Sequence, residues 1–109
     1  MVQRFIDASM EGWYSYLYGD PAPGDKLIRE ANPEMPQELI DFARRVMKAR
    51  GIVDSGDAET LGIGAMTDAR WAAFYASNVA IGVHKVGIDI SKAYTTRFVN
   101  KRVGVELKK

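Results

Sequence analysis

Two residue types that carry much of protein chemistry are scarce in this sequence of 109 residues: cysteine is absent, and histidine occurs once, at His84. The absence of cysteine excludes disulfides, thiolate metal sites, iron–sulfur clusters and cysteine nucleophiles. A single histidine cannot build a two-histidine metal site, and no nucleophile with a histidine–carboxylate pair can be assembled around it. His84 instead follows Gly82 at a predicted helix end, where a positive charge offsets the helix dipole. The sequence therefore predicts a chain that is not an enzyme and has no catalytic residue, metal or cofactor.

The sequence also lacks an excess of charge and a long apolar run. Fifteen Lys and Arg residues against fourteen Asp and Glu residues leave a formal net charge of +1, which does not favour nucleic acid or an anionic membrane as a partner. The longest uncharged stretch, between Arg70 and His84, is interrupted by Ser77, Asn78 and Gly82 and is too short to cross a bilayer. The N-terminal segment lacks the basic region, apolar stretch and cleavage site of a secretory signal. We therefore expect no membrane insertion, and a cytoplasmic chain if it is expressed as written.

Apolar residues make up 47% of the chain, and they recur at helical spacing in several segments. We therefore expect a mainly α fold with about five short-to-medium amphipathic helices and one long glycine-rich loop, in a single domain over residues 1–109. The loop, over residues 51–66, has room for one helical turn. A last short helix is expected from about Ser91 to Val99. The signals that start or stop the other helices are Gly19, Asp20-Pro21, Asn32-Pro33, Pro36, Gly51, Thr67-Asp68 and Gly82.

The same spacing predicts which face of each helix is buried. In the second helix the inward residues are expected to be Leu27, Ile28 and Ala31. In the third helix, the clearest of the five, the charged residues, Arg44 among them, are expected to face water. Its buried stripe is predicted to consist of Leu39, Phe42, Ala43, Val46 and Met47. The fourth helix is predicted to bury Trp71, Phe74, Tyr75 and Val79. The last short helix is predicted to bury Ile90, Tyr94 and Phe98.

Three groups of residues could carry binding chemistry. Gly62-Ile63-Gly64 precedes a helix start and could cradle a phosphate, but the third glycine, preceding strand and lysine of the known phosphate loops are missing, which favours a structural turn. Asp54, Asp57 and Glu59 could bind a hard cation, but their spacing matches no calcium loop and is typical of solvated turns. A basic stripe could bind phosphates, yet acidic residues share its helix, so nucleic acid is an unfavoured partner. The basic residues are Arg44, Arg45, Lys48, Arg50, Lys101, Arg102, Lys108 and Lys109.

An aromatic cluster on the first helix indicates an interaction surface. One helix face cannot bury four large side chains that lie on both of its sides, so some of them are expected to meet a ligand, a partner or a missing part of the same protein. The alternative is that they are ordinary amphipathic tyrosines at a domain surface. Self-association would cover them most simply, and we expect a homo-oligomer, in the first instance a two-fold dimer through this helix. The members of the aromatic cluster are Trp13, Tyr14, Tyr16 and Tyr18.

Several stretches, in order along nearly the whole chain, resemble the C-terminal third of the solute-binding proteins of ABC transporters. The similarity is to the nitrate, sulfonate and taurine group and to the thiamine-precursor group. The strongest matching stretch runs from Gly51 to Ala58 and continues from Leu61 to Trp71. The other matching stretches are Phe5-Ile6-Asp7-Ala8-Ser9, Gly12-Trp13, Gly19-Asp20-Pro21-Ala22-Pro23, Asn32-Pro33-Glu34-Met35 and Ala93-Tyr94-Thr95-Thr96-Arg97-Phe98-Val99-Asn100.

This resemblance implies the C-terminal helical part of a type II periplasmic binding protein. In such proteins two α/β lobes close on a small solute and deliver it to a membrane permease, without covalent chemistry. The C-terminal helices pack outside a lobe and across the hinge, so a chain that supplies only those helices lacks the sheets that clasp solute. The resemblance thus implies a non-catalytic, periplasmic fragment that cannot bind solute alone, and it assigns no ligand contact to this chain. A small helical module for protein or nucleic-acid interaction is the alternative.

Overall fold

The computed structural model describes residues 1–108, and it confirms a mainly helical fold. Helices account for 58% of the chain, and no strand occurs within the described residues. None of the helices in this range is long and apolar enough to cross a membrane. The helices are α1 (Val2–Tyr18), α2 (Ala22–Ala31), α3 (Gln37–Ala49), α4 (Ala58–Leu61) and α5 (Asp68–Ala80), with short 3-10 helices at Ile90–Lys92 and Val105–Leu107.

Local signals in the sequence set the ends of these helices, as predicted. The chain leaves α1 at Gly19, whose N–H donates to the Ser15 carbonyl at 2.8 Å. The Asp20 carboxylate accepts the N–H of Ala22 and so opens α2. Thr67 caps α5, because its hydroxyl oxygen accepts the N–H of Arg70 at 3.2 Å. The glycine-rich loop holds a single helical turn, which is α4.

The helix predicted from Ser91 to Val99 is wrong. Only Ile90–Lys92 forms a 3-10 turn, and the chain then runs back along α5. The ring of Tyr94 stacks on that of Trp71, with centroids 4.5 Å apart and planes 1° apart, and its hydroxyl donates to Asp68 at 2.7 Å. A long-range aromatic contact therefore takes the place of the local helical bonds that the spacing predicted.

The segment that follows α5 covers only one side of that helix. Tyr75 lies on the covered side, and its hydroxyl donates to the carbonyl of Lys85 at 2.5 Å and accepts the N–H of Ile88 at 3.1 Å. Phe74 lies outside this contact and is 64% exposed. The predicted burial of Phe74 is therefore wrong, because the segment that returns along α5 packs beside it.

The core lies around the middle of α1. Tyr14 is 2% exposed and packs with Leu17 and Ile63, and the N–H of Ile63 donates to the Tyr14 hydroxyl at 3.0 Å. Gly104 approaches the same ring with a left-handed φ of +83°, and a Cβ at this position would lie 3.0 Å from Tyr14 Cδ2. The C-terminal turn thus closes over α1, and glycine is needed because both the space and the backbone conformation exclude a side chain.

The structure as a whole is extended and has a small core. Its radius of gyration is 16.6 Å, whereas a compact chain of this length has about 13 Å. Its accessible surface is 7899 Å², compared with about 6,000 Å² for a compact monomer of the same mass. About 1,900 Å² of surface is therefore exposed beyond what the length requires, and 15 large hydrophobic residues are among those exposed.

Candidate functional site

A group of polar side chains is buried where α1, α2 and α3 meet. At its centre is Asp25, which is 3% exposed although it is charged. Its carboxylate accepts hydrogen bonds from the Tyr16 hydroxyl at 2.6 Å, from Gln37 Nε2 at 2.9 Å and from Arg44 Nη1 at 2.9 Å. We call these residues, together with Asp41, the polar cluster.

Arg44 links the members of the polar cluster. Its Nη2 donates to the Asp41 carboxylate at 2.8 Å, while Nη1 bonds both Asp25 and the Tyr16 hydroxyl. The guanidinium lies 5.2 Å from the centroid of the Tyr16 ring, and Gln37 bonds Asp41 as well as Asp25. Every buried side-chain nitrogen and oxygen among the described residues has a hydrogen-bond partner. The cluster is therefore a satisfied network, as a buried ion pair requires.

Hydrogen bonding decides the protonation state of Asp25. Burial by itself would raise the pKa of this carboxyl, but the bonds from Tyr16, Gln37 and Arg44 and the charge of Arg44 outweigh burial, so the pKa lies below its usual value. Burial and the bond to Asp25 raise the pKa of Tyr16. At neutral pH the carboxylate is therefore ionised and the phenol neutral. The arrangement holds α1, α2 and α3 together.

The polar cluster turns the apolar faces of α2 and α3 outward, so the predicted burial of both helices is wrong. Leu27 is 65% exposed, and Ile28 and Ala31 are exposed beside it. On α3, Phe42 is 54% exposed and Leu39 nearly as much. Of the predicted α3 stripe, the exposed members are Leu39, Phe42 and Ala43, and the half-buried members are Val46 and Met47.

The geometry of a helix accounts for this reversal on α3. Ile40, Arg44 and Met47 lie on the side that faces the rest of the chain. With a rotation of about 100° per residue, Leu39 lies roughly 110° and Phe42 roughly 165° around the helix from that side. Arg44 is largely buried instead of facing water. Since Asp25 occupies the corresponding inner position on α2, the two helices meet through charged side chains and expose apolar ones.

We call the outward surface of α2 and α3 the apolar face. It is formed by Leu27, Ile28, Ala31, Leu39, Phe42, Ala43 and Val46. An amphipathic helix in a water-soluble domain normally has the opposite orientation, with its apolar stripe on the core. Exposed apolar surface on two neighbouring helices marks a place where another surface packs. The apolar face is therefore the candidate functional site of this chain.

The structure distributes the aromatic cluster of α1 over different environments. Tyr14 is buried in the core, and Tyr16 and Tyr18 are half-buried, with their hydroxyls bonded to Asp25 and Asp54. Trp13 is the one member with an exposed ring. Tyr14 thus has no free surface for a partner, and the interactions within the chain account for three of the four predicted residues.

The basic residues do not form a continuous free stripe. Arg44 belongs to the polar cluster, and Lys48 and Lys108 lie 4.9 Å and 5.3 Å from the centroid of the Tyr18 ring. Lys108 also pairs with the buried carboxylate of Asp54 at 3.0 Å. Arg102 donates to the carbonyl of residue 60, and Lys109 lies outside the described residues.

The acidic loop residues have separate environments. Asp54 is buried; burial would raise the pKa of its carboxyl, but the bonds from Tyr18 and Lys108 outweigh burial, so the net shift is downward. Asp57 pairs with Arg70 at 4.0 Å, and Glu59 is exposed. Within the described residues no group of three or more acidic or histidine side chains could hold a metal ion.

The Gly62-Ile63-Gly64 segment is a turn. Both glycines have positive φ, of +95° and +83°. The N–H of Ile63 is already bonded to the Tyr14 hydroxyl, and the N–H of Met66, nearer α5, is bonded to the Asn100 side chain. These N–H groups are therefore not free for a phosphate.

An open groove of about 720 Å³ lies between this loop and α5. Val53, Met66 and Trp71 contribute apolar surface, and Asp57 and Arg70 form its polar side. Asp57 and Arg70 lie 4.0 Å apart, and the groove is open to solvent.

Sequence reasoning missed Asp25 because a lone carboxylate on a short helix has the same local pattern whether it is buried or solvated. One feature of the sequence could have pointed to this buried pair: α2 and α3 each place a charged residue, Asp25 and Arg44, opposite their apolar stripe. Comparison of the chain with known protein families, with curated proteins and with solved structures gives no match.

Proposed function

We propose that this chain is a non-catalytic helical part of a larger receptor, namely the C-terminal part of the solute-binding component of an ABC importer. The importer would be of the nitrate, sulfonate and taurine type or of the thiamine-precursor type. The observation that carries the proposal is the exposed apolar face of α2 and α3, which requires a covering surface in the working protein.

In this proposal the apolar face packs against the outside of a lobe, and the lobe covers residues such as Leu27 and Phe42. The chain as a whole exposes about 1,900 Å² more than a compact monomer of its mass, which is the result expected if part of its surface is covered in the working protein.

In this proposal the chain does not hold solute by itself. The solute, the permease and the periplasmic location belong to the complete receptor. The polar cluster has a structural role: Asp25 and Arg44 hold α2 against α3, while apolar side chains of both helices remain exposed. The function is assembly, and no step of it breaks or forms a covalent bond.

A reconstitution experiment tests the proposal. The chain is co-expressed with a taurine- or nitrate-binding protein from which the C-terminal helices have been deleted. We expect the two to co-purify, and we expect Phe42→Asp to abolish the complex because it places a charge in the apolar face. Phe74→Asp is the matched control, since Phe74 is 64% exposed on α5 and outside that face. Failure of the wild-type chain to associate with either receptor would refute the proposal.

Solute binding gives the second readout. Taurine, nitrate, alkanesulfonates and pyrimidine precursors should leave the unfolding temperature of the isolated chain unchanged, whereas a matching solute should raise that of the reconstituted complex. A solute that raises the unfolding temperature of the isolated chain would contradict its inability to bind alone.

The second candidate function is a small helical module for protein interaction, which the same apolar face favours. Its nucleic-acid version has less support, because Arg44, Lys48 and Lys108 already contact groups within the chain. Affinity for DNA or RNA that falls steeply with salt would support the nucleic-acid version against the receptor proposal.

A further inference from the structure

We propose that, when the chain is produced without other components, a second copy of it covers the apolar face, through antiparallel two-fold pairing of the α3 helices. This inference concerns the isolated chain and stands on the surface of α3, independently of the proposed receptor. It places the dimer interface on α3 and not on the aromatic cluster of α1, because Tyr14 is buried and Tyr16 and Tyr18 bond within the chain.

The order of side chains on α3 is self-complementary. With a two-fold axis that passes between Phe42 and Ala43, Leu39 of one copy lies at the level of Val46 of the second copy. The two Phe42 rings then meet on one flank, and the two small Ala43 side chains on the other flank allow close approach. We call the line of contact between the two α3 helices the seam. Large side chains fill one side of the seam, and small side chains on the other side let the helices approach closely.

The charges beside the seam are complementary in the same register. Glu38 and Arg45 lie on the flank that carries Phe42, and the guanidinium of Arg45 is 5.7 Å from the Phe42 ring centroid. In an antiparallel pair, equivalent flanks face each other, so Glu38 of one copy lies within about 3 Å, along the helix axis, of Arg45 of the second copy. Both side chains are long enough to close that offset.

Exposed apolar side chains supply the contact surface. Leu39 and Phe42 on α3 are about half exposed, and Leu27 on α2 is 65% exposed. A standard interface buries about 800 Å² on each partner, and the whole chain exposes about 1,900 Å² more than a compact monomer of its mass.

Light scattering and sedimentation of the isolated chain over the micromolar range test the pairing. We expect a monomer–dimer equilibrium in the wild type and a rise of at least about tenfold in the dimer dissociation constant for Phe42→Asp. Phe74→Asp, which makes the same chemical change on α5, should leave the dissociation constant within about twofold of the wild type. Circular dichroism of both variants verifies that each remains helical.

A charge reversal tests the register. Arg45→Glu should weaken the dimer by about twofold to fivefold, because it places the new carboxylate of one copy beside Glu38 of the second. Adding Glu38→Arg should restore the dissociation constant to near the wild-type value. A wild-type chain that is monomeric at high micromolar concentration would overturn the inference, even if it binds the truncated receptor. Equal effects of Phe42→Asp and Phe74→Asp, or no rescue by the double reversal, would also overturn it.

Discussion

Breaking the ion pair between Asp25 and Arg44 is the perturbation that tests the fold most directly. Asp25→Asn keeps the shape of the side chain and removes its charge, which leaves Arg44 without its main partner inside the protein. Removing one partner of a buried ion pair typically costs about 3 to 5 kcal/mol. Arg44 is 16% exposed and keeps its bond to Asp41, so we expect a smaller loss, about 2 to 3 kcal/mol of the free energy of unfolding.

Urea denaturation followed by circular dichroism, at one fixed protein concentration, measures this loss. Glu30→Gln is the control, because the Lys26–Glu30 pair on the same helix spans 3.9 Å between largely exposed side chains. Its removal should cost about 0.5 kcal/mol or less. An Asp25→Asn variant within about 0.5 kcal/mol of the wild type would refute the assigned role of the polar cluster.

The double variant Asp25→Leu with Arg44→Met distinguishes two reasons why loss of the ion pair would destabilise the fold. If the cost of Asp25→Asn arises from an unpaired buried charge, replacing both partners by apolar side chains should recover most of the stability, to within about 1 kcal/mol of the wild type. If the double variant is as unstable as Asp25→Asn, the polar contacts themselves stabilise the packing of α2 on α3.

Three further changes in stability follow from the same structure. The pKa of Asp25 is lowered in the folded state. Its contribution to the free energy of unfolding is therefore present above its ordinary pKa and is lost as the pH falls through the lowered pKa. Between about pH 6 and pH 2.5, the urea midpoint should decrease more in the wild type than in Asp25→Asn. Tyr14→Phe removes the buried bond to Ile63 and should cost about 1 to 2 kcal/mol in urea denaturation, and an unchanged midpoint would contradict this. Gly104→Ala should lower the thermal unfolding temperature more than Gly56→Ala, because both have positive φ but only Gly104 lies against Tyr14. Equal temperature shifts would contradict the close approach.

The ends of the helices could be predicted from the sequence, whereas the buried faces of α2 and α3 could not. Gly19 and Thr67 act through bonds to residues within a few positions, so their signals are complete in the local sequence. The face that a helix buries depends on what packs on it. The apolar stripe of α3 is predicted to face the core, but Ile40 and Arg44 occupy that position and leave Leu39 and Phe42 exposed.

The part of the candidate site that sequence reasoning could not supply is the polar cluster. Asp25 and Arg44 are 19 residues apart and on different helices. Helical spacing relates residues within one helix and gives no information about a contact between two helices. The same limit explains the C-terminal region, where stacking of Tyr94 on Trp71 replaces the predicted helix.

The closure of the C-terminal turn over α1 fixes the order in which the chain can fold. Tyr14 can complete its packing only after Ile63 and the Gly104 turn have been synthesised. That turn lies 90 residues further along the chain than Tyr14. At about 5 to 20 residues per second, a ribosome takes roughly 5 to 20 seconds to make that span. Until then the Tyr14 ring lacks the turn that completes its surroundings, although Leu17 and Ile63 can already pack on it. Any factor that protects this chain during synthesis would therefore be expected to bind α1 first.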